Sequence, residues 1–201
     1  MSAGSHLLYA RSIDRGNNAS DRTAYLFYVK SPNVTDKPGD LNGDGNSDLY
    51  GVRTDGTLRQ YSGTGNGTVS VYASASSTNF KGASITHRGD WTGDGYEDLI
   101  ALTGSAGSRT LQLYPNNGYG YACTTKGEQA DSGTCTDDRQ ELTVDDPADN
   151  HWQNADQVLA IGDVDHDGNV DILAREKSTG ALYFYPTAVG TSGWDAFQAL
   201  S

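Results

Sequence analysis

Gly162-Asp163-Val164-Asp165-His166-Asp167-Gly168-Asn169-Val170-Asp171 sets four aspartates at positions 1, 3, 5 and 9, counting from Asp163, with glycine at position 6. Carboxylates crowded this closely repel one another unless a cation lies among them. A donor set made only of oxygen suits a hard ion of variable coordination number, calcium before magnesium. Gly168 supplies the sharp turn such a loop needs, and Asn169 at position 7 offers its backbone carbonyl.

Working outward, the motif occurs twice more. Asp40, Asn42, Asp44, Asn46 and Asp48 make the first copy, and Asp90, Thr92, Asp94, Tyr96 and Asp98 the second. Asp163, Asp165, Asp167, Asn169 and Asp171 make the third and richest. The first copy keeps a carbonyl oxygen at position 3 through Asn42. The second has only the hydroxyl of Thr92 there and ranks last. An EF-hand is disfavoured, because that loop needs glutamate at position 12, where these copies have Gly51, Ala101 and Ala174. Up to three calcium ions are expected, in structural roles.

The first aspartates of successive copies lie 50 and then 73 residues apart. Each copy runs into a short apolar strand: Leu49-Tyr50-Gly51-Val52, Leu99-Ile100-Ala101-Leu102 and Ile172-Leu173-Ala174. A glycine-containing turn follows, then a strand ending near an aromatic: Tyr61, Tyr114 or Tyr185. A further aromatic, Phe80 or Trp152, precedes the second and third loops, and Trp194 takes the same register near the end. About four short strands per 50-residue repeat is the pattern of a propeller blade.

The three Gly-Asp-x-[Asp/Asn/Thr]-x-Asp-Gly-x-x-Asp-[Leu/Ile] segments resemble the FG-GAP or VCBS repeats of integrin-type β-propellers, over about residues 38–201. The resemblance implies calcium in a loop between the first two strands of each blade, and a role in adhesion or ligand binding. The expected fold is all-β: a partial propeller of about three four-stranded blades, at about 37–79, 80–151 and 152–201, with an insertion at 118–150. Exposed blade edges would permit self-association.

Residues 1–36 read as a separate piece. Two strands, His6–Asp14 and Thr23–Val29, flank a turn at Arg15–Ser20, and a linker runs from Ser31 to Pro38. The pattern resembles the closing hairpin of an immunoglobulin-like or fibronectin-like module.

Composition narrows the function. The net charge of −12 argues against nucleic acid as a partner. Ten of the 26 acidic residues are loop aspartates, so the charge reads as cation sites. No apolar run is long enough for membrane insertion. Cys123 and Cys135 are expected to form a disulfide in an oxidising, extracellular setting. The start of the chain lacks the features of a secretion signal, and the expectation is a portion of a larger secreted bacterial protein, ending inside a repeat.

The expected function is a non-catalytic recognition or accessory module that binds carbohydrate or an extracellular protein surface. Specificity is assigned to the insertion, where Tyr119 and Tyr121 are expected to stand exposed for stacking on a ligand. An alternative is a propeller-type polysaccharide lyase or hydrolase, which would need His87, Arg88 and Tyr114 to converge on one cleft. A second alternative is a structural spacer or assembly subunit.

Overall fold

Alternating side-chain direction along a strand decides how the chain is layered. A computed structural model describes residues 4–29, 37–144, 151–186, 193–194 and 198–200, and among these the regular elements are all β apart from a 3-10 turn at His151–Asn154. The N-terminal hairpin joins β1 (Gly4–Ala10) to β2 (Thr23–Val29). Its turn is held by Asp14, whose Oδ1 accepts from the N–H groups of Gly16 (2.8 Å) and Asn18 (2.9 Å).

Three mainly antiparallel sheets follow. The first contains β3 (Leu49–Val52), β4 (Thr57–Gly63) and β5 (Val69–Asn79). The expected linker before it, residues 31–36, lies outside the described residues. The second contains β6 (Ser84–His87), β7 (Leu99–Thr103), β8 (Thr110–Tyr114) and β11 (Gln140–Val144). Between β8 and β11 lies a two-residue ladder of β9 (Gln129–Ala130) and β10 (Gly133–Thr134). The third contains β12 (Ala155–Gly162), β13 (Asp171–Glu176), β14 (Leu182–Tyr185) and β16 (Gln198–Leu200). None of these sheets closes on itself.

The second sheet is the middle layer, and β7 shows why. Leu99 and Ala101 face the first sheet, in a cluster with Leu58, Ala75, Phe80 and Tyr114. Ile100 and Leu102, one residue out of phase, face the third sheet beside Leu111, Leu113, Trp152 and Ile172. A continuous apolar run is what a strand buried on both faces requires. The aromatic register is equally regular. Phe80 packs on Tyr114 with ring centroids 5.1 Å apart, and Trp152 on Tyr185 at 4.8 Å. Each pair joins the residue before a loop to the end of the strand pair after it, and all four side chains are buried.

The unpaired edge of β12 is covered by side chains. Its Val158 N–H donates to Ser84 Oγ (3.1 Å) and its Ala160 N–H to Thr86 Oγ1 (3.0 Å), both on β6. Hydroxyls of one sheet thus satisfy edge donors of the next, which stops that edge from templating further pairing.

Two expectations are corrected. The expected insertion at 118–150 contains β11, which pairs with β8 in the second sheet. Its polar Gln-Glu-Leu-Thr-Val sequence conceals this role because that strand is exposed along most of its length. The true insertion therefore falls between β8 and β11. The second correction concerns Trp194, expected in the register of Phe80 and Trp152. Gly193–Trp194 instead forms β15 and pairs in parallel with Thr143–Val144 of β11.

Candidate metal centre

The three aspartate loops share one backbone. Position 6 has positive φ in each: Gly45 at 86°, Gly95 at 93° and Gly168 at 96°. Position 4 does too, with Gly43 at 74°, Gly93 at 77° and His166 at 65°. Two left-handed residues so close together fold the loop back on itself. Histidine is among the few non-glycine residues enriched at such a position.

The first aspartate of each loop sits at the focus of the fold. Asp40 Oδ1 accepts from the N–H groups of Gly43 (2.8 Å) and Asp44 (3.2 Å), and Oδ2 from Gly45 (2.7 Å). Asp90 repeats this with Gly93 (2.7 Å), Asp94 (3.1 Å) and Gly95 (2.7 Å). Asp163 accepts from Asp167 and Gly168, both at 3.1 Å. Position 5 caps position 7: Asp44, Asp94 and Asp167 accept from Asn46, Tyr96 and Asn169 at 2.8–2.9 Å.

The last aspartate closes the loop on its second residue. Asp48, Asp98 and Asp171 accept from the N–H groups of Leu41 (3.1 Å), Trp91 (2.9 Å) and Val164 (2.7 Å). The other oxygen of Asp48 accepts from Gly63 N–H at 2.8 Å, and that of Asp98 from Asn116 N–H at 2.8 Å. The first and second loops are thereby tied to the far end of their own strand pairs. A carboxylate oxygen has two lone pairs, so these bonds still leave room for an ion.

Charge is concentrated where water is scarce. Burial pushes the Asp48 carboxyl up to about 7, against the N–H bonds from Gly63 and Leu41, with the charges of Asp44 and Asp40 adding to the rise. Burial likewise pushes Asp98 up to about 7, against the Asn116 bond, with Asp94 adding to the rise. Asp44 and Asp94 are raised as well, again chiefly by burial. A bound cation would reverse the preference for the protonated form.

Two observations bear on whether an ion fits. Carboxylate oxygens of Asp163, Asp165 and Asp171 lie within 4.8 Å of one another, so these three could hold a metal ion. Among the described residues, no other group of three acidic, histidine or cysteine side chains meets that spacing. In the first loop, Asn42 is buried and its Nδ2 donates to Ser62 Oγ at 3.1 Å, but its Oδ1 has no hydrogen-bond partner. A buried orphan acceptor costs about 1–3 kcal/mol, and a cation would satisfy it. The second loop brings Thr92 Oγ1 to 3.5 Å from Asp90 Oδ1.

Neighbouring repeats are joined at these loops. Glu97, buried at position 8 of the second loop, accepts from Gly39 N–H (2.6 Å) at the head of the first, and also lies 2.5 Å from His87 Nδ1. Val170, at position 8 of the third, packs on Gly89 at the head of the second, so closely that a Cβ there would lie 2.3 Å from Val170 Cγ2. Asn116 Nδ2 donates to Leu41 O (2.9 Å) and Glu97 O (3.0 Å). Sequence reasoning missed these links. The glycine heading every loop was the available signal.

The insertion differs from expectation. Cys123 and Cys135 are disulfide-bonded. Tyr121, expected to be exposed, is buried beside that disulfide, and its hydroxyl donates to Glu128 Oε1 at 2.7 Å. Tyr119 is half-buried, edge-on to Tyr28 of β2 at 5.8 Å. The segment folds back because Ala122 bonds to β5: its N–H donates to Ala75 O (2.7 Å) and its carbonyl accepts from Ser76 Oγ (2.9 Å). His87, Arg88 and Tyr114 do not line one cleft, since Tyr114 is in the core against Phe80 and His87 pairs with Glu97.

A family model described as FG-GAP-like repeat matches residues 40–101, from the first loop into β7. The all-β sheets are consistent with such repeats. No curated protein and no solved structure matches the chain.

Proposed function

We propose that this chain, with an FG-GAP-like repeat across residues 40–101, is a calcium-stabilised run of propeller blades serving as a non-catalytic recognition or accessory module of a larger secreted protein. The observation that carries the reading is the Asp163, Asp165 and Asp171 cluster in a loop whose backbone is repeated twice upstream. The orphan Asn42 Oδ1 supports it in the first loop. Oxygen-only donors favour calcium over metals that prefer nitrogen or sulfur. Asp40, Asn42, Asp44 and Asp48 would hold one ion, Asp90, Thr92, Asp94 and Asp98 a second, and Asp163, Asp165, Asp167 and Asp171 a third. The ions would neutralise buried carboxylates and fix the loops between strands. The Cys123–Cys135 disulfide suits an oxidising compartment. The ligand class proposed is carbohydrate or an extracellular protein surface.

Calorimetric titration of chelator-treated protein with calcium tests the metal sites. Up to three ions should bind, and Asp165→Ala should remove one. Absence of calcium binding would overturn the reading. A polysaccharide panel with the calcium-loaded protein tests the rest: retention without chain cleavage is expected, and release of unsaturated, ultraviolet-absorbing sugars would replace recognition with lyase activity.

A further inference from the structure

The first loop differs from its two copies at positions 1 and 3, which are buried. Asp40 is 3% exposed and Asn42 1%. Of their counterparts, Asp90, Asp163 and Asp165 are exposed and Thr92 is half-buried. The start of the N-terminal hairpin accounts for part of the difference. Gly4 opens β1 with φ at 110°, and its backbone lies directly against the loop. A Cβ at Gly4 would stand 2.8 Å from Asp44 Cβ, 3.0 Å from Asp44 Oδ2 and 3.1 Å from Asn42 Oδ1. A bare backbone therefore covers two of the proposed ligands, one of them the buried carbonyl oxygen without a partner. An isolated two-stranded hairpin is marginal in water, so this one needs such a contact to hold its place.

We propose that the N-terminal hairpin is the lid of the first cation site, so that binding of a divalent cation there and docking of β1–β2 are coupled. The inference rests on the calcium reading above. Coupling is reciprocal: the ion orders Asn42 and Asp44 beneath Gly4, and the docked hairpin keeps water from the ion.

Hydrogen–deuterium exchange, with calcium and with chelator, tests it. Calcium should slow exchange at the β1 and β2 amides at least tenfold. Asn42→Ala should abolish that gain, whereas Asp165→Ala in the third loop should leave it. Gly4→Val should weaken calcium binding at the first loop at least tenfold by calorimetry without changing the third. If Gly4→Val fails to fold, the exchange comparison in the unaltered chain still decides. Calcium heat that Asn42→Ala removes, with no change in hairpin exchange, would overturn the coupling and leave the calcium reading intact. Absence of calcium uptake by any loop would overturn both.

Discussion

Asp98→Ala is expected to destabilise the chain by about 3–5 kcal/mol. The side chain is fully buried, and its two oxygens accept from three backbone donors: Trp91, Thr92 and Asn116. Alanine removes the acceptor and leaves those donors in a dry site, at about 1–3 kcal/mol each and less than additively. The damage spreads because Asn116 in turn holds Leu41 of the first loop and the turn at Gly118 and Gly120. Asp98→Asn keeps one carbonyl oxygen and should lose roughly half as much. Denaturant unfolding of both variants measures this. A loss below about 1 kcal/mol for alanine would mean that the carboxylate does not hold the loop.

Trp152→Ala is expected to cost about 3–5 kcal/mol, the range for emptying a large buried aromatic site. Trp152 is 1% exposed, packs on Tyr185, and belongs to the cluster that joins the second and third sheets. The 3-10 turn at His151–Asn154 pins its backbone, so the site has little freedom to collapse. Loss of this core should loosen the third sheet first. Unfolding followed separately by tryptophan fluorescence and by far-ultraviolet dichroism should then give transitions that no longer coincide. Coincident transitions with a loss under about 1 kcal/mol would contradict the packing described.

The loops and the strands after them were legible because local chemistry dictates both. Aspartate spacing and the glycine at position 6 fix a turn within nine residues, and the apolar runs after Asp48, Asp98 and Asp171 have no polar competitor. Phe80 and Trp152 were legible from their repeated register. The second left-handed position was half-visible, as Gly43 and Gly93, but His166 hid it in the third copy. Tyr121 misled because glycine-rich surroundings suggest an exposed loop, whereas the backbone bonds of Ala122 to β5 and the nearby disulfide draw it inward. The seating of Gly4 on Asp44 was not legible at all. It joins residues 40 apart in sequence through a backbone contact that leaves no periodic trace.

Unfolding with calcium and with excess chelator, measured between pH 4 and pH 8, tests the central claim most directly. Without calcium, Asp48 and Asp98 hold protons in the folded state up to about pH 7, well above their ordinary carboxylate range. The folded state then binds more protons than the unfolded chain, so stability should fall as pH rises from about 4 to 7 and level off above. With calcium the same carboxylates are held ionised, and each filled site should add about 2.7 kcal/mol at a hundredfold excess over its dissociation constant. Curves that separate increasingly towards pH 7 are the predicted result. Curves that superimpose across the whole range would contradict the account.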